Sequence, residues 1–341
     1  MAVPPGATPA ARAPPRHRRR EGFFLLLRIL RANRLTLVGF ALVVLISVTA
    51  VLQVAVPAVT QLTVHHAYAL TPYSASELTN DVGQSPSLQH PMGTDSLGHD
   101  VFSEVLAALP LDLAIGFGVA GFALLFGGFL GLVAGYWDRP GSIGGAVSVI
   151  IMRLTDIFLA FPSLVLALAV AASLGRGTLA AIVAVMVTWW PFYVRLTRGE
   201  VLSIKNAGYV TAARAAGVRE GRIVLRHIVR NIAEPIVVYF TMDVGTVLVT
   251  FSTISYIGIG VPLSVPEWGN LIEQGVSSNL LLTEPWVLIG PGLAVFVTVL
   301  AFSLLGDGLR DILDPRSRRA LATPSTPPAE APAATAVRTE A

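Results

Sequence analysis

Six stretches of the chain are continuously apolar over the ~20 residues that a helix needs to cross a hydrocarbon core. They cover roughly residues 35–57, 113–136, 157–175, 177–194, 235–261 and 286–306. None alternates polar with apolar positions, which predicts helices rather than barrel strands. Only the fifth run carries a charge, Asp243. The third can begin earlier, near Ile143, placing Arg153 and Asp156 close to one end, where their i,i+3 spacing would let them pair. Pro162 and Pro191 fall inside apolar runs and predict kinks. The connection 58–112 contains Pro72, Pro86 and Pro91 and predicts a compact element ending in a helix from about Asp100 to Leu109. The connection 262–285, with Pro262, Pro266, Trp268 and Gly269, and Trp286 just after it, predicts an interfacial hairpin with aromatic anchors.

The polar segment 195–232 is too long for a turn and contains no proline, so it should be structured. Asn206 can cap a first helix, Ala207 to Ala216 favour its interior, and Gly217 suits a left-handed terminal position. A second helix is expected from about Arg219. Arg222, Arg226 and Arg230 recur every four residues, with Leu225, Ile228 and Ile232 on another face, the pattern of a helix at the headgroup boundary that leads into the fifth span. Composition alone leaves two roles for the alanine-rich helix: resting on lipid, or docking closely against a soluble protein.

Charge fixes the orientation. Of 24 Lys and Arg, eight precede the first span, two follow the second, eight lie between Arg195 and Arg230, and five follow the sixth. Segments 58–112 and 262–285 hold none, leaving only Arg176 on that side. The positive-inside rule then predicts a multi-pass protein of the plasma (inner) membrane with both termini cytoplasmic. A charged fraction of 13% against a hydrophobic fraction of 53% agrees, since soluble domains carry about 25% charged residues. The pI near 9.5 reports this topology and gives no reason to infer nucleic acid. With no cysteine, thiolate catalysis and Cys-ligated metals are excluded. The single lysine, Lys205, is followed by Asn206, so no phosphate-binding GxxxxGK[ST] loop exists and any ATP hydrolysis must come from another chain. Residues 1–22 and the Pro/Ala-rich stretch after Pro315 read as disordered. Phe23 to Arg34 reads as an interfacial helix, and Arg18-Arg19-Arg20 as part of a membrane anchor rather than a cleaved signal.

Several segments in order resemble the dipeptide/oligopeptide/nickel permeases of ABC importers, the second of their two permease types. His90-Pro91-Met92-Gly93-Thr94-Asp95 through Asp100-Val101 is similar to that family's HPLGTDxxGRDV. Met152-Arg153-Leu154-Thr155-Asp156 followed by Ala160-Phe161-Pro162 resembles its MRxxDxxxAFP. Tyr209 to Gly217 resembles its coupling motif, and Trp268-Gly269-Asn270 and Leu304 to Asp311 resemble its later segments. The likeness covers roughly residues 24–316. It implies an all-α integral membrane protein with six transmembrane helices, the type I importer permease fold, and a cytoplasmic coupling helix. It implies that Tyr209, Thr211, Ala212, Ala213, Arg214, Ala215 and Gly217 meet an ATPase. The partners implied are a second homologous permease subunit forming a heterodimer, two ABC ATPases and an extracytoplasmic solute-binding protein, with no cofactor. The expected division is 1–34 a basic tail and interfacial helix, 35–112 the first span and external loop, 113–314 the core permease domain, and 315–341 a cytoplasmic tail. Thr211 stands where the family usually has Glu, Arg230 where proline is common, and His99 where Arg is usual. Asp243 holds a position normally small, and Phe251 lies near one that is often acidic.

The function expected is ATP-driven import of di- or oligopeptides by a non-enzymatic permease subunit. Alternatives are import of nickel or another small solute, an ion-coupled transporter using Asp243, or a scaffold that recruits a soluble protein. An acid inside a span costs at least ~2.5 kcal/mol on insertion scales, so Asp243 is expected either to line the translocation path or to bond a neighbouring helix. His65, His66, His90 and His99 beside Asp95 and Asp100 could in principle suit a metal, but separated loop histidines more often serve turns, and no metal is assigned.

Overall fold

The computed structural model describes residues 34–64 and 70–313. The expected interfacial helix, both terminal tails, His65 and His66 lie outside the described residues. Every regular element among the described residues is helical. We label them α1 Arg34–Val64, α2 Val101–Phe122, α3 Gly128–Tyr136, α4 Ile143–Leu159, α5 Ser163–Leu174, α6 Thr178–Ile204, α7 Gly208–Ala215, α8 Glu220–Ile223, α9 Val229–Tyr256, α10 Trp268–Ser277 and α11 Trp286–Leu313. Short π-helical turns at Ala123–Gly127 and Val224–Ile228 join α2 to α3 and α8 to α9, so both pairs run on as continuous helices. Arg230 therefore lies within an unbroken helix, as its replacement of a proline led one to expect.

Among the described residues five helical units are long and apolar enough to cross a membrane, and the pair α4 and α5 makes a sixth if counted as one bent span. That pair carries the kink expected at Pro162, as a full break. Its halves meet at 89°, because the chain breaks at Ala160-Phe161-Pro162, where proline cannot continue the hydrogen-bond ladder. Pro191, by contrast, sits inside an uninterrupted α6. The second span also starts earlier than expected. Asp100 caps α2 by accepting from the Ser103 amide at 2.9 Å, and no gap separates the external helix from the span. Two more acids, Glu104 and Asp112, thus join Asp243 within apolar helices.

Two cores hold the bundle. The larger packs α2, α6, α9, α10 and α11 through Val119, Ala120, Val185, Val247, Leu248, Phe251, Leu271 and Phe302. The smaller, around Tyr136, Val201, Val210, Ile223, Ile228 and Ile232, fastens the segment α7–α8 to the ends of α3 and α6. Helices α3 and α6 approach closely along a stripe of Gly127, Gly131 and Gly135, four residues apart. A Cβ added at Gly131 would stand 2.5 Å from the Val194 carbonyl oxygen, and one at Gly127 would collide with that of Trp190. Small residues at this spacing let backbones pack where lipid supplies no hydrophobic drive.

The external connection is a compact element, and His90 is its centre. Its ring is fully buried, 2.8 Å from Asp100 through Nδ1 and 3.4 Å from Asp81 through Nε2, and it stacks on Tyr73. His99 pairs with Asp95 at 2.9 Å. Among the described residues no group of three or more His, Asp and Glu is placed to hold a metal. The expected aromatic anchor Trp268 is instead buried, and its indole donates to the Val105 carbonyl at 3.0 Å. The hairpin folds inward as α10 because Glu267 caps it, accepting from the Gly269 and Asn270 amides at 2.9 Å each.

Candidate functional site: a docked small-residue helix and an acidic cavity

Helix α7 forms where the alanine-rich pattern placed it, but its cap differs. The residue before its first turn is Ala207, with no side-chain hydrogen bond, so Asn206 does not cap it. Its C-terminus closes as a Schellman motif. The Val218 amide donates to Ala213, the Gly217 amide donates to Arg214, and Gly217 has φ +73°. Val210 is fully buried in the smaller core, and Ala213 packs against that core. Tyr209, Thr211, Ala212, Ala215 and Gly217 are exposed. The helix thus stands on Val210 and Ala213 and presents a face of small residues, with Tyr209 beside it, to the cytoplasmic side predicted by charge. Of the seven residues expected to meet an ATPase, Ala213 turns inward instead. The Thr211 hydroxyl bonds back to the Ala207 carbonyl at 3.2 Å.

Arg214 is also held within the chain. Its guanidinium donates to Glu220 at 3.3 Å and to the Tyr136 hydroxyl at 3.4 Å, and Tyr136 itself donates to Glu220. These bonds favour the charged guanidinium and raise its pKa above the ordinary value, the one to Tyr136 contributing most. Tyr136 ends the second span, so the triad ties α7 and α8 to that span. Two further ties run beside it. Lys205 donates to the carbonyls of Gly135 at 3.0 Å and Asp138 at 3.2 Å, closing the end of α3 as cations do at helix C-termini. Arg198 pairs with Asp138 at 2.8 Å. Sequence spacing had paired Arg153 with Asp156; the structure pairs Asp156 with Arg195 at 2.8 Å, because α6 brings a guanidinium across the interface. On the return helix the buried face is Ile223, Val224, Ile228 and Ile232, whereas Leu225 is 71% exposed. The π turn at Val224–Ile228 shifts the register that a regular helix would keep.

Asp243 bonds a neighbouring helix, the second of the two roles considered for it. Its Oδ2 accepts from the Trp189 indole at 2.8 Å and from the Tyr193 hydroxyl at 2.9 Å, linking α9 to α6. It also lines a cavity of about 430 Å³ at the α4–α5 break, with Ser163, Trp189, Phe192, Tyr239 and Thr246.

A further acidic pair was not legible in the sequence. Asp112 of α2 and Glu267 before α10 are both fully buried and meet beneath Trp268. Asp112 Oδ2 accepts the Trp268 amide at 3.2 Å, while its Oδ1 has no hydrogen-bond partner. Burial raises the Glu267 carboxyl above its ordinary value, against the amides of Gly269 and Asn270, which favour its charge. A carboxyl raised in the folded state contributes stability at acid pH that is lost as pH rises through its folded pKa. Asparagine at 112 would keep an oxygen for Trp268 and turn an amide donor toward Glu267. Asp112→Asn is therefore expected to raise Tm at pH 8 by roughly 1–2 °C, about 1 kcal/mol in a chain of this size, with little change at pH 5. An equal shift at both pH values would contradict this account.

A bundle of apolar helices with a broken span is a multi-pass membrane protein, and a short helix of small residues is docked on one end of it. Residues 127–319 match the family described as binding-protein-dependent transport system inner membrane component. The dipeptide transport system permease protein DppC of Alkalihalophilus pseudofirmus is 36% identical over 72% of this chain and 78% of its own length. The glutathione transport system permease protein GsiD of Pectobacterium atrosepticum is 39% identical over 72% of this chain and 79% of its own. Among solved structures, an inward-facing MetNI methionine ABC transporter aligns over 61% of this chain and 96% of its own, at 22% identity and a TM-score of 0.48. The chain belongs to the binding-protein-dependent transport inner membrane component family, as an ABC importer permease.

Proposed function

We propose that this chain forms half of the translocation path of an ATP-driven importer for di- or oligopeptides, and that α7 is its coupling helix. The observation that carries the reading is α7 itself: an exposed small-residue face, seated on its own core and tied through Arg214, Glu220 and Tyr136 to the end of the second span. A push on that face moves the span end as a unit, which is the rigid-body transmission that alternating access needs. Peptide as cargo is supported by the dipeptide and glutathione permeases among the relatives. On this reading a second homologous permease subunit completes a heterodimer and two separate ATPases hydrolyse ATP. An extracytoplasmic binding protein delivers the solute, and both termini are cytoplasmic. Residues 113–314 act as the core permease domain, entered by a helix that begins at Val101, and Asp243 lines the path.

The test is gentle purification of the tagged chain from its native membrane. Recovery of a P-loop ATPase and a second multi-span subunit is the expected result. Recovery of the chain alone, under conditions that preserve membrane complexes, would move the weight to an ion-coupled transporter. Within the complex, Ala212→Leu with Ala215→Leu should cut ATPase recovery at least several-fold, since bulk on that face holds the partner away while the buried Val210 and Ala213 contacts stay intact. Unchanged recovery would return α7 to a lipid-surface role.

A further inference from the structure

We propose that the Asp243 cavity is a binding subsite for a primary ammonium group, carried by the free amino end of a short peptide. The proposal rests on the transport reading above and adds the chemistry that the path recognises. Three aromatic side chains, Trp189, Phe192 and Tyr239, line the cavity around the acid, with the hydroxyl-bearing Ser163, Thr188 and Thr246. Aromatic faces attract an organic cation through their quadrupoles, a carboxylate supplies its counter-charge, and hydroxyl oxygens accept its remaining N–H bonds.

The described residues place no such cation beside Asp243. Among the described residues Asp243 takes part in none of the six ion pairs. Both protein hydrogen bonds to it end on Oδ2, so the side chain is braced by one oxygen and offers the other. An intramembrane acid held this way, facing space rather than a basic residue, is arranged for a visiting charge. A transition metal such as nickel fits poorly, because the lining holds no imidazole or thiolate and only one carboxylate beside neutral hydroxyls. The volume of about 430 Å³ falls in the range of small-ligand sites, ~300–1,000 Å³.

The cavity also has a continuation. Tyr239 and Met242 line both it and a second cavity of about 420 Å³, which reaches Glu200, Glu234 and Arg310. Glu200 lies on α6 and Glu234 on α9, on the side of the docked cytoplasmic helix. A cation leaving Asp243 would meet further acids along this route, so its release need not strand it.

The experiment uses the purified complex in lipid nanodiscs, without binding protein, and equilibrium dialysis of labelled Ala-Ala against labelled N-acetyl-Ala-Ala at pH 7. Saturable Ala-Ala binding is expected. Acetylation of the probe and Asp243→Asn should each weaken it by roughly 10- to 100-fold, the loss of one charge-assisted bond, and Asp243→Glu should restore part of it. The comparison of the two probes on the unaltered protein needs no variant, so misfolding of Asp243→Asn cannot mask the answer. Absence of saturable binding, or equal binding of the two probes, overturns the subsite. If ATPases are present in that same preparation, the importer reading survives that failure. Recovery without ATPases overturns the importer reading, and the proposal falls with it.

Discussion

Gly131→Leu is expected to abolish recovery of folded, monodisperse protein. Gly131 faces the backbone of α6, and an added Cβ would lie 2.5 Å from the Val194 carbonyl oxygen, 2.8 Å from Thr197 Cβ and 3.1 Å from the Arg198 amide nitrogen. None of these is the free end of a flexible side chain, so the helices must separate. Separation would also open the contacts at Gly127 and Gly135 and pull Lys205 and Arg198 from the end of α3. Overpacking costs typically ~1–3 kcal/mol where neighbours can yield, and here backbone would have to yield along two helices. Size-exclusion chromatography in mild detergent is the measurement. Gly118→Ala is the control, since nothing lies within 4 Å of a Cβ there, and it should elute as the unaltered protein does. A normal profile for Gly131→Leu would show that α3 and α6 do not approach as described.

Gly217→Val should leave ATP hydrolysis present while transport per ATP falls severalfold or more. The space around Gly217 is open, with nothing within 4 Å of an added Cβ, so sterics with neighbours are not the cause. The cause is φ +73°, a left-handed conformation that costs an L-residue roughly 1–2 kcal/mol and a β-branched one more. Valine would favour another φ, undo the Schellman bonds at Gly217 and Val218, and change the angle at which α7 passes into α8. Gly217→Asn makes the argument specific, because asparagine tolerates this region and should retain most transport. Equal loss in both variants would point to the small surface at 217 rather than to its backbone. Assay in proteoliposomes, with transport and hydrolysis read on the same preparation, separates these outcomes.

Much of the site was legible before the fold. The alanine-rich run from 207 to 216 with glycine at 217 located α7, and the charge asymmetry predicted the side it faces. The partners of that helix were not legible. Arg214 to Tyr136 spans 78 positions of sequence and Arg198 to Asp138 spans 60, and no local pattern reports such distances. Local spacing misled where it competed with tertiary contact: Asp156 left its i,i+3 neighbour for Arg195 on another helix. Asp112 was invisible as a buried acid because it looked like the polar edge of a span. The glycine stripe 127, 131 and 135 was present as a repeat of small residues, and it carried a signal of close helix packing that hydropathy does not register.

By itself the sequence determined that this protein crosses the membrane, roughly where its apolar helices lie, which orientation its charges predict and where a small-residue helix forms. Each of these follows from transfer energy, charge or backbone preference, which act residue by residue or over a few turns. Tertiary structure decided the rest: the 89° break that opens a cavity, the placement of Asp243 between two donors and that cavity, the inward turn of Trp268 over paired acids, and the clamp on the second span. Those depend on which side chains from distant segments reach one another once the helices have packed.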